Sequence, residues 1–169
     1  MSKKNLRKRK EELFRRKQGA LDSMQSTFVD ADVLINAITN ENSSSFKFFE
    51  SFRGKNRKIL TSTHSIGEVV KFLYRIAGEE KHNPDYDING SILAFKGLLD
   101  ITNIEIVNFS ENSGSILDEK VLVAGDRLEF KDALNVALAY ENGCHSFCTF
   151  DKGITEETLR ILGMKRLEP

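Results

Sequence analysis

Four acidic residues constrain the fold of this chain more than any other feature, because each stands inside or directly after core-forming sequence. They are Asp30 in FVDADVLI, Glu68 in STHSIGEVVKFL, Asp132 in FKDALNVALAY and Asp151 in FCTFDKG. Folding should carry all four to one edge of a buried sheet, where two close carboxylates repel by roughly 4 kcal/mol at an effective dielectric of about 20. A divalent cation with oxygen ligands relieves such repulsion. The pattern therefore predicts a magnesium or manganese site.

Short apolar runs alternate with amphipathic segments along the chain. Strands are predicted at residues 27–34, 58–61, 104–109, 144–150 and 164–167. Helices are predicted around residues 46–52, 63–77, 92–99, 115–123, 131–141 and 155–162, with a loop at 78–89 that contains Pro84. Strands that alternate with helices are typical of a parallel sheet covered on both faces. We therefore expect an α/β fold built as a three-layer α/β/α sandwich.

The predicted topology brings the acidic residues to one edge of the sheet. In a parallel α/β sheet the ligand crevice lies beyond the carboxyl ends of the strands. Asp30 stands at the end of the first predicted strand and Asp151 directly follows the fourth, so both should open onto this edge. Asp32 is expected on the same strand face as Asp30, where it adds a further negative charge.

Two of the acidic residues are predicted on helices. Glu68 lies about one turn into the helix that follows the second strand. Asp132 stands near the start of its helix, whose small-residue face should pack close to the sheet. That face comprises Ala133, Val136, Ala137 and Tyr140. We expect the Asp132 carboxylate to face the same edge as Asp30 and Asp151.

Charge is distributed unevenly along the chain, although the formal net charge is zero. Residues 1–18 contain nine basic and two acidic residues, a net charge of +7, which leaves −7 for residues 19–169. We expect a basic N-terminal extension over residues 1–25 and one compact domain over residues 26–169. Two interpretations of the extension remain open: its charges are simply solvated, or they attract nucleic acid.

Composition argues against secreted and membrane proteins. The basic start is not followed by the apolar core of a signal peptide, and no apolar run approaches the 18 or more residues of a membrane span. The two cysteines, Cys144 and Cys148, would lie about 13 Å apart on one strand at a rise of about 3.3 Å per residue, too far for a disulfide. We expect two buried thiols and a cytoplasmic protein.

The order of these motifs resembles the PIN-domain nucleases, and most of all the VapC-type toxins of toxin–antitoxin pairs. The resemblance rests on Asp30-x-Asp32 after a strand, Glu68 on a helix, Asp132-Ala-Leu-x-x-Ala-x-Ala and Thr149-x-Asp151, and it covers about residues 26–169. It implies a PIN-like fold. Asp30, Glu68, Asp132 and Asp151 take the positions of the family's metal-binding and catalytic carboxylates, and Thr149 takes that of its supporting polar residue.

The resemblance also implies a chemistry and partners. It implies a metal-dependent endoribonuclease that hydrolyses RNA phosphodiester bonds with one or two Mg²⁺ or Mn²⁺ ions. The family position two residues after the first Asp usually carries Ser, Thr or Asn; here it is Asp32, which is an additional candidate ligand of the metal. RNA is the implied substrate, a small antitoxin is the implied protein partner, and a homodimer is the implied assembly. No association with a membrane is implied.

Three alternatives remain open from the sequence. The chain fits a PIN-type nuclease of RNA processing, and it fits a non-catalytic RNA-binding module of the same fold. Asp30-Ala31-Asp32 also resembles the opening motif of haloacid-dehalogenase-type phosphatases, with Ile59-Leu60-Thr61 and Gly125-Asp126 as partial further motifs. The phosphatase interpretation leaves Glu68 and the Thr149–Asp151 motif without a role.

Overall fold

The computed structural model describes residues 26–53, 57–80, 88–124 and 128–169. The predicted basic extension, residues 1–25, lies outside these ranges. So do residues 81–87 of the predicted loop and Gly125-Asp126 of the phosphatase interpretation.

A parallel sheet forms the centre of the described structure. Its strands are β1 (Ser26–Val29), β2 (Lys58–Ser62), β3 (Glu105–Val107), β4 (Ser146–Cys148) and β5 (Lys165–Leu167). Their order is β3-β2-β1-β4-β5, and all four pairings are parallel. The chain moves outward from β1 through β2 to β3 and then returns to place β4 on the other side of β1. The topological switch point, where α/β folds bind ligands, therefore lies between β1 and β4.

Helices connect the strands and cover both faces of the sheet. They are α1 (Ala31–Thr39), α2 (Ser44–Phe52), α3 (Thr63–Glu80), α4 (Ile88–Thr102), α5 (Glu111–Ile116), α6 (Leu122–Ala124), α7 (Phe130–Glu141) and α8 (Glu156–Ile161). A π-helical turn, Leu117–Val121, joins α5 to α6. The helical segment predicted at residues 115–123 begins earlier, directly after Ser110, whose side chain forms a capping box with Ser113.

Two apolar clusters lie on opposite faces of the sheet, because successive strand residues point to opposite sides. Phe28 joins a cluster with α7 and α8, and its ring stacks on Phe147 with centroids 5.1 Å apart. Val29 joins the second cluster with α1, α2, α3 and α4. The predicted three-layer α/β/α sandwich is confirmed.

The first predicted strand is too long. Residues 31–34 are helical, so β1 ends at Val29 and α1 begins after Asp30, its N-cap residue. An aspartate is a favoured N-cap because its carboxylate accepts backbone N–H groups that lack helical partners. Beyond it, Val33, Leu34, Ala37 and Ile38 are buried at helical spacing. The expectation that Asp32 shares a strand face with Asp30 is therefore wrong: Asp32 lies in the first turn of α1.

Two large side chains on helices are partly exposed, and one of them, Tyr140, belongs to the α7 face predicted to pack against the sheet. Val70 is 39% exposed and Tyr140 is 37% exposed. On α3 the buried face runs through Val69, Leu73 and Ile76, at helical spacing, and Val70 lies beside it. Ala133, Val136 and Ala137 of α7 are fully buried, as predicted.

The cysteine prediction is confirmed, since Cys144 and Cys148 are both free and buried. Burial raises the pKa of each thiol to about 12. In the described part of the chain, no helix has the length and apolar character needed to cross a membrane.

Candidate active site

Asp30 occupies the carboxyl end of β1 and is only 6% exposed. Its Oδ1 accepts hydrogen bonds from the backbone N–H of Ala31 at 2.8 Å and from Asn135 Nδ2 at 3.1 Å. Its Oδ2 accepts from Thr149 Oγ1 at 3.2 Å. Contacts from α1, α7 and the end of β4 therefore fix this carboxylate at the switch point.

Thr149 links the two aspartates of the Asp30-x-Asp32 motif. Its Oγ1 lies 3.3 Å from Asp32 Oδ2, which also accepts the backbone N–H of Phe150 at 2.8 Å. Asp32 thus binds the segment after β4, although it comes from the first turn of α1. Thr149, predicted as a supporting residue, therefore contacts both carboxylates directly.

Asp151 follows β4 in a tight turn. Its backbone N–H donates to Thr149 Oγ1 at 3.0 Å, and its Oδ1 accepts the Gly153 N–H at 2.7 Å. A Cβ atom at position 153 would lie 3.1 Å from that same Oδ1, so glycine permits the close approach. Arg166 of β5 donates from Nη2 to the Asp151 carbonyl at 3.2 Å and from Nε to the Ile154 carbonyl at 3.0 Å. These contacts hold the turn against the sheet.

Asp132 lies in the first turn of α7 and is 5% exposed. A negative charge is favourable at this end of a helix, where backbone N–H groups point outward. Burial raises its pKa to about 6, and the nearby Asp151 carboxylate contributes to the increase. The short α7 face of Ala133, Val136 and Ala137 packs against the sheet and brings Asp132 to the carboxyl edge.

Glu68 lies on α3, and its carboxylate is close to the side chains of Lys131 and His64. Its Oε1 is 3.8 Å from Lys131 Nζ and 3.9 Å from His64 Nε2. Lys131 also lies 3.9 Å from Glu129 Oε2. The Glu68 carboxylate raises the pKa of Lys131, and Asp132 contributes. Lys131 is therefore a protonated cation at the margin of the acidic residues.

The five predicted carboxylates lie within electrostatic reach of one another. The pKa of Asp30 is raised to about 7, mainly by burial and in addition by the charges of Asp32, Asp132 and Glu68. The pKa of Asp32 is raised by burial and by Asp151. Side chains from the end of β1, from α1, α3 and α7, and from the turn after β4 thus lie near one another at this edge of the sheet.

The donor chemistry of this edge fits a hard divalent cation. All five side chains offer carboxylate oxygens, the ligands that Mg²⁺ and Mn²⁺ prefer. Among the described residues, Asp32 Oδ1 is buried and has no hydrogen-bond partner, which leaves an acceptor for a cation. Within those residues, no group of three or more His, Cys, Asp and Glu side chains is already arranged to hold a metal ion.

Asn135 is a member of this site that the sequence reasoning missed. It is 1% exposed on α7, one turn after Asp132, and contacts Asp30 directly. Asparagine in an amphipathic helix ordinarily indicates a surface position. The signal that reveals it is its i+3 spacing from Asp132, adjacent to the buried Val136.

A groove of about 470 Å³ opens beside the acidic residues, between α1 and α3. Asp32 and Glu68 lie on its wall, together with three cations. The full lining is Ala31, Asp32, Ile35, Glu68, Lys71, Phe72, Arg75 and Lys131. The Arg75 guanidinium lies over the Phe72 ring, 5.2 Å from its centroid. Positive charge thus borders a site whose own side chains are acidic.

The family model described as PIN domain matches residues 27–156, which is well over half of the chain. No curated protein matches the chain in sequence.

Several solved structures are similar in fold. VapBC2 from Rickettsia felis, bound to a DNA fragment from its promoter, aligns with a TM-score of 0.62 and 14% identity over 85% of this chain and 98% of that one. VapBC-1 from nontypeable Haemophilus influenzae aligns with a TM-score of 0.56 and 15% identity, over 85% of this chain and 97% of that one. Mycobacterium tuberculosis VapC20, described as a sarcin–ricin loop cleaving toxin, aligns with a TM-score of 0.51 and 19% identity. The alignment covers 74% of this chain and 89% of that one. At these low identities, the TM-scores show that the chain shares its fold with these structures.

Proposed function

The chain belongs to the PIN domain family, and on that premise we propose that it is a metal-dependent endoribonuclease. The observation that carries the proposal is the meeting of Asp30, Glu68, Asp132 and Asp151 from four separate segments at the topological switch point of the sheet. Crowding of carboxylates, two of which (Asp30 and Asp132) are buried, destabilises the metal-free protein, and a divalent cation removes the repulsion.

The residues that would hold the metal are Asp30, Glu68, Asp132 and Asp151, with Asp32 as a fifth ligand through its unpartnered oxygen. Bound there, one or two Mg²⁺ or Mn²⁺ ions would supply Lewis-acid activation of water and of the phosphodiester. Thr149 and the Ala31 N–H orient Asp30, and the Gly153 N–H orients Asp151. Lys131 holds Glu68 toward the same edge.

Within the described residues, the side chains near the site do not supply a nucleophile. The Cys148 thiol is buried, and its pKa near 12 keeps it protonated at neutral pH. The hydroxyls of Ser62 and Ser65 are buried and hydrogen-bonded to each other and to Asn135. Water is therefore the nucleophile in the proposed hydrolysis.

The groove beside the acidic residues is suited to the phosphates of a nucleic-acid strand. Lys71, Arg75 and Lys131 place positive charge along a path that ends at Glu68 and Asp32. Phe72, exposed in part on the same wall, offers an aromatic surface of the kind on which unpaired bases stack. We infer that an unpaired RNA segment lies here when its scissile phosphate is at the carboxylates.

The type of nuclease we propose is the toxin of a toxin–antitoxin pair. The fold matches two structures named as VapBC complexes and one named as a VapC toxin. A small antitoxin and a second copy of the chain are the expected partners. Large exposed apolar side chains provide surface for such contacts: Tyr74 at 79%, Leu93 at 67%, Val123 at 79% and Phe130 at 69% exposed.

The test is cleavage of a structured RNA pool by the purified full chain with Mg²⁺, with Mn²⁺ and with EDTA. We expect cleavage with either metal, none with EDTA, and none by Asp30→Asn. A folded protein that neither cleaves RNA nor binds Mn²⁺ would contradict the enzyme and favour the non-catalytic binding module. Cleavage that persists in EDTA would contradict the metal site.

A further inference from the structure

Asn135 presents an amide group on the buried face of α7, which is apolar apart from Asn135 and Asp132. Its neighbours Ala133, Val136 and Ala137 are fully buried, and Asn135 itself is 1% exposed. A buried amide is unfavourable unless its donors and acceptor find partners. The contacts of Asn135 therefore indicate why an asparagine is compatible with this position.

Both ends of the amide are hydrogen-bonded. Nδ2 donates to Asp30 Oδ1 at 3.1 Å and to Ser65 Oγ at 3.2 Å, and Oδ1 accepts from Ser62 Oγ at 2.7 Å. The Ser62 and Ser65 oxygens lie 3.1 Å apart, and the Ser65 N–H donates to Ser62 Oγ at 2.9 Å. Ser62 ends β2 and Ser65 lies in the first turn of α3, so the amide connects three elements of the site.

The chemistry of the partners determines the orientation of the amide. Asp30 Oδ1 already accepts the Ala31 N–H at 2.8 Å, so it acts as an acceptor toward Asn135 and the NH₂ group must face it. With the amide reversed, Asn135 Oδ1 would oppose Asp30 Oδ1, and two acceptors would repel. Ser62 can donate its single proton to the carbonyl end only in the observed orientation. The network is thus consistent with one arrangement of the Asp30 carboxylate.

We propose that Asn135 is a positioning residue that fixes the Asp30 carboxylate relative to Asp132 and to the start of α3. It acts from the same helix as Asp132, three residues further on, so one rigid element sets the separation of the two aspartates. Ser65 connects the amide to α3, three residues before Glu68. This inference rests on the proposed metal site, and its readout is metal binding, which does not require that the RNA substrate be known.

The test is Mn²⁺ binding by titration calorimetry on the full chain, for wild type, Asn135→Leu, Asp30→Asn and the double variant. Leucine has nearly the shape of asparagine and lacks its hydrogen bonds. We expect Asn135→Leu to weaken Mn²⁺ binding about 10- to 100-fold, the range typical of a lost partner to a metal ligand. In the Asp30→Asn background the same substitution should have little further effect, because the side chain it positions no longer carries charge.

The matched control is Val136→Ala, a fully buried α7 substitution on the adjacent residue. It should lower the melting temperature and leave Mn²⁺ affinity unchanged. If Asn135→Leu does not fold, Asn135→Ala serves in the same cycle.

Unchanged Mn²⁺ affinity in folded Asn135→Leu overturns the proposal. So does an equal loss with and without Asp30→Asn, which would indicate a general structural role. If the protein cleaves no RNA but the effect of Asn135→Leu on Mn²⁺ affinity depends on Asp30, the proposed ribonuclease activity would be overturned. The positioning role of Asn135 would then still be supported. Where RNA is cleaved, Asn135→Leu should lower kcat and leave KM unchanged.

Discussion

Thr149 Oγ1 lies 3.2 Å from Asp30 Oδ2 and 3.3 Å from Asp32 Oδ2, so one hydroxyl faces two carboxylates. The hydroxyl carries a single proton and can donate to only one of them at a time. It also accepts the backbone N–H of Asp151 at 3.0 Å. Thr149 is therefore the point at which the β1 end, the α1 start and the turn after β4 are joined.

Thr149→Val should remove this junction at almost constant volume. We expect the free energy of unfolding to fall by about 1–3 kcal/mol, because the Asp151 N–H and a buried carboxylate lose a partner. Ribonuclease activity should fall by about 10- to 100-fold. Urea denaturation and a cleavage assay measure the two effects.

Thr27→Val is the matched control: Thr27 is buried on the same sheet, and its hydroxyl is hydrogen-bonded to Ser146 Oγ at 2.8 Å, away from the carboxyl edge. It should lose stability and keep activity.

The metal-free protein should become less stable as pH rises from about 4 to 7. Asp30 has its pKa raised from 3.8 to about 7, so the folded state favours its protonated form. The stabilisation from that proton is complete below the unfolded pKa and is lost as pH rises through about 7. Since one pKa unit corresponds to about 1.4 kcal/mol, the loss for Asp30 is up to about 4 kcal/mol.

Asp30→Asn isolates this effect from the other titrations of the chain. In EDTA, we expect the variant to be more stable than wild type at pH 8, with a difference that diminishes toward pH 4. Melting temperatures across this range give the comparison. With Mn²⁺ present the order at pH 8 should reverse, because only the wild type binds the cation tightly. A pH-independent difference in EDTA would contradict burial of an ionisable Asp30.

The limits of sequence-based prediction are clearest around Asp30. An apolar run with two carboxylates, residues 27–34, has the composition of a strand, and the sheet does begin there. The strand stops at Val29 because the Asp30 side chain accepts the Ala31 N–H and caps a helix. Local capping competes with strand propensity, and composition alone does not reveal which prevails. The acidic residues themselves were predictable, since each stands next to sequence that must be buried.

Other features depend on contacts between distant parts of the chain. Asn135 is polar in sequence and buried in the fold, because Ser62 and Asp30 approach it from other elements. Val70 is apolar and yet exposed, because the α3 face that packs runs beside it. Burial of a single position depends on which neighbours cover it, and periodicity gives only the face.

The groove cations should govern substrate affinity more than turnover. Lys71→Gln and Arg75→Gln remove charge from the wall beside Glu68. We expect each to raise KM for RNA several-fold, leave kcat unchanged, and reduce the slope of log affinity against log salt by about 0.7, the value for one phosphate contact on a single strand. Lys47→Gln, an exposed lysine of α2 outside the groove, is the charge-matched control and should change neither quantity.

Arg166 should influence catalysis through the Asp151 turn. Its guanidinium donates to the carbonyls of Asp151 and Ile154, and the side chain is only 15% exposed. We expect Arg166→Met to lower kcat by about tenfold with KM unchanged, because Asp151 loses its support. Steady-state kinetics on the RNA substrate give this split. Lys165→Met, on the exposed side of the same strand, is the control, and an equal effect there would argue against a specific role for Arg166.

The rate of RNA cleavage as a function of Mn²⁺ concentration tests the proposed metal site most directly. It should be measured for wild type, for Asp132→Asn and for Asp118→Asn, an exposed aspartate of the π-helical turn that serves as the charge control. We predict saturable, EDTA-sensitive cleavage by wild type and Asp118→Asn, and a loss of more than about 100-fold in Asp132→Asn, beyond that of a supporting residue. Equal cleavage by Asp132→Asn and wild type at every Mn²⁺ concentration would contradict a metal-dependent nuclease centre at this edge.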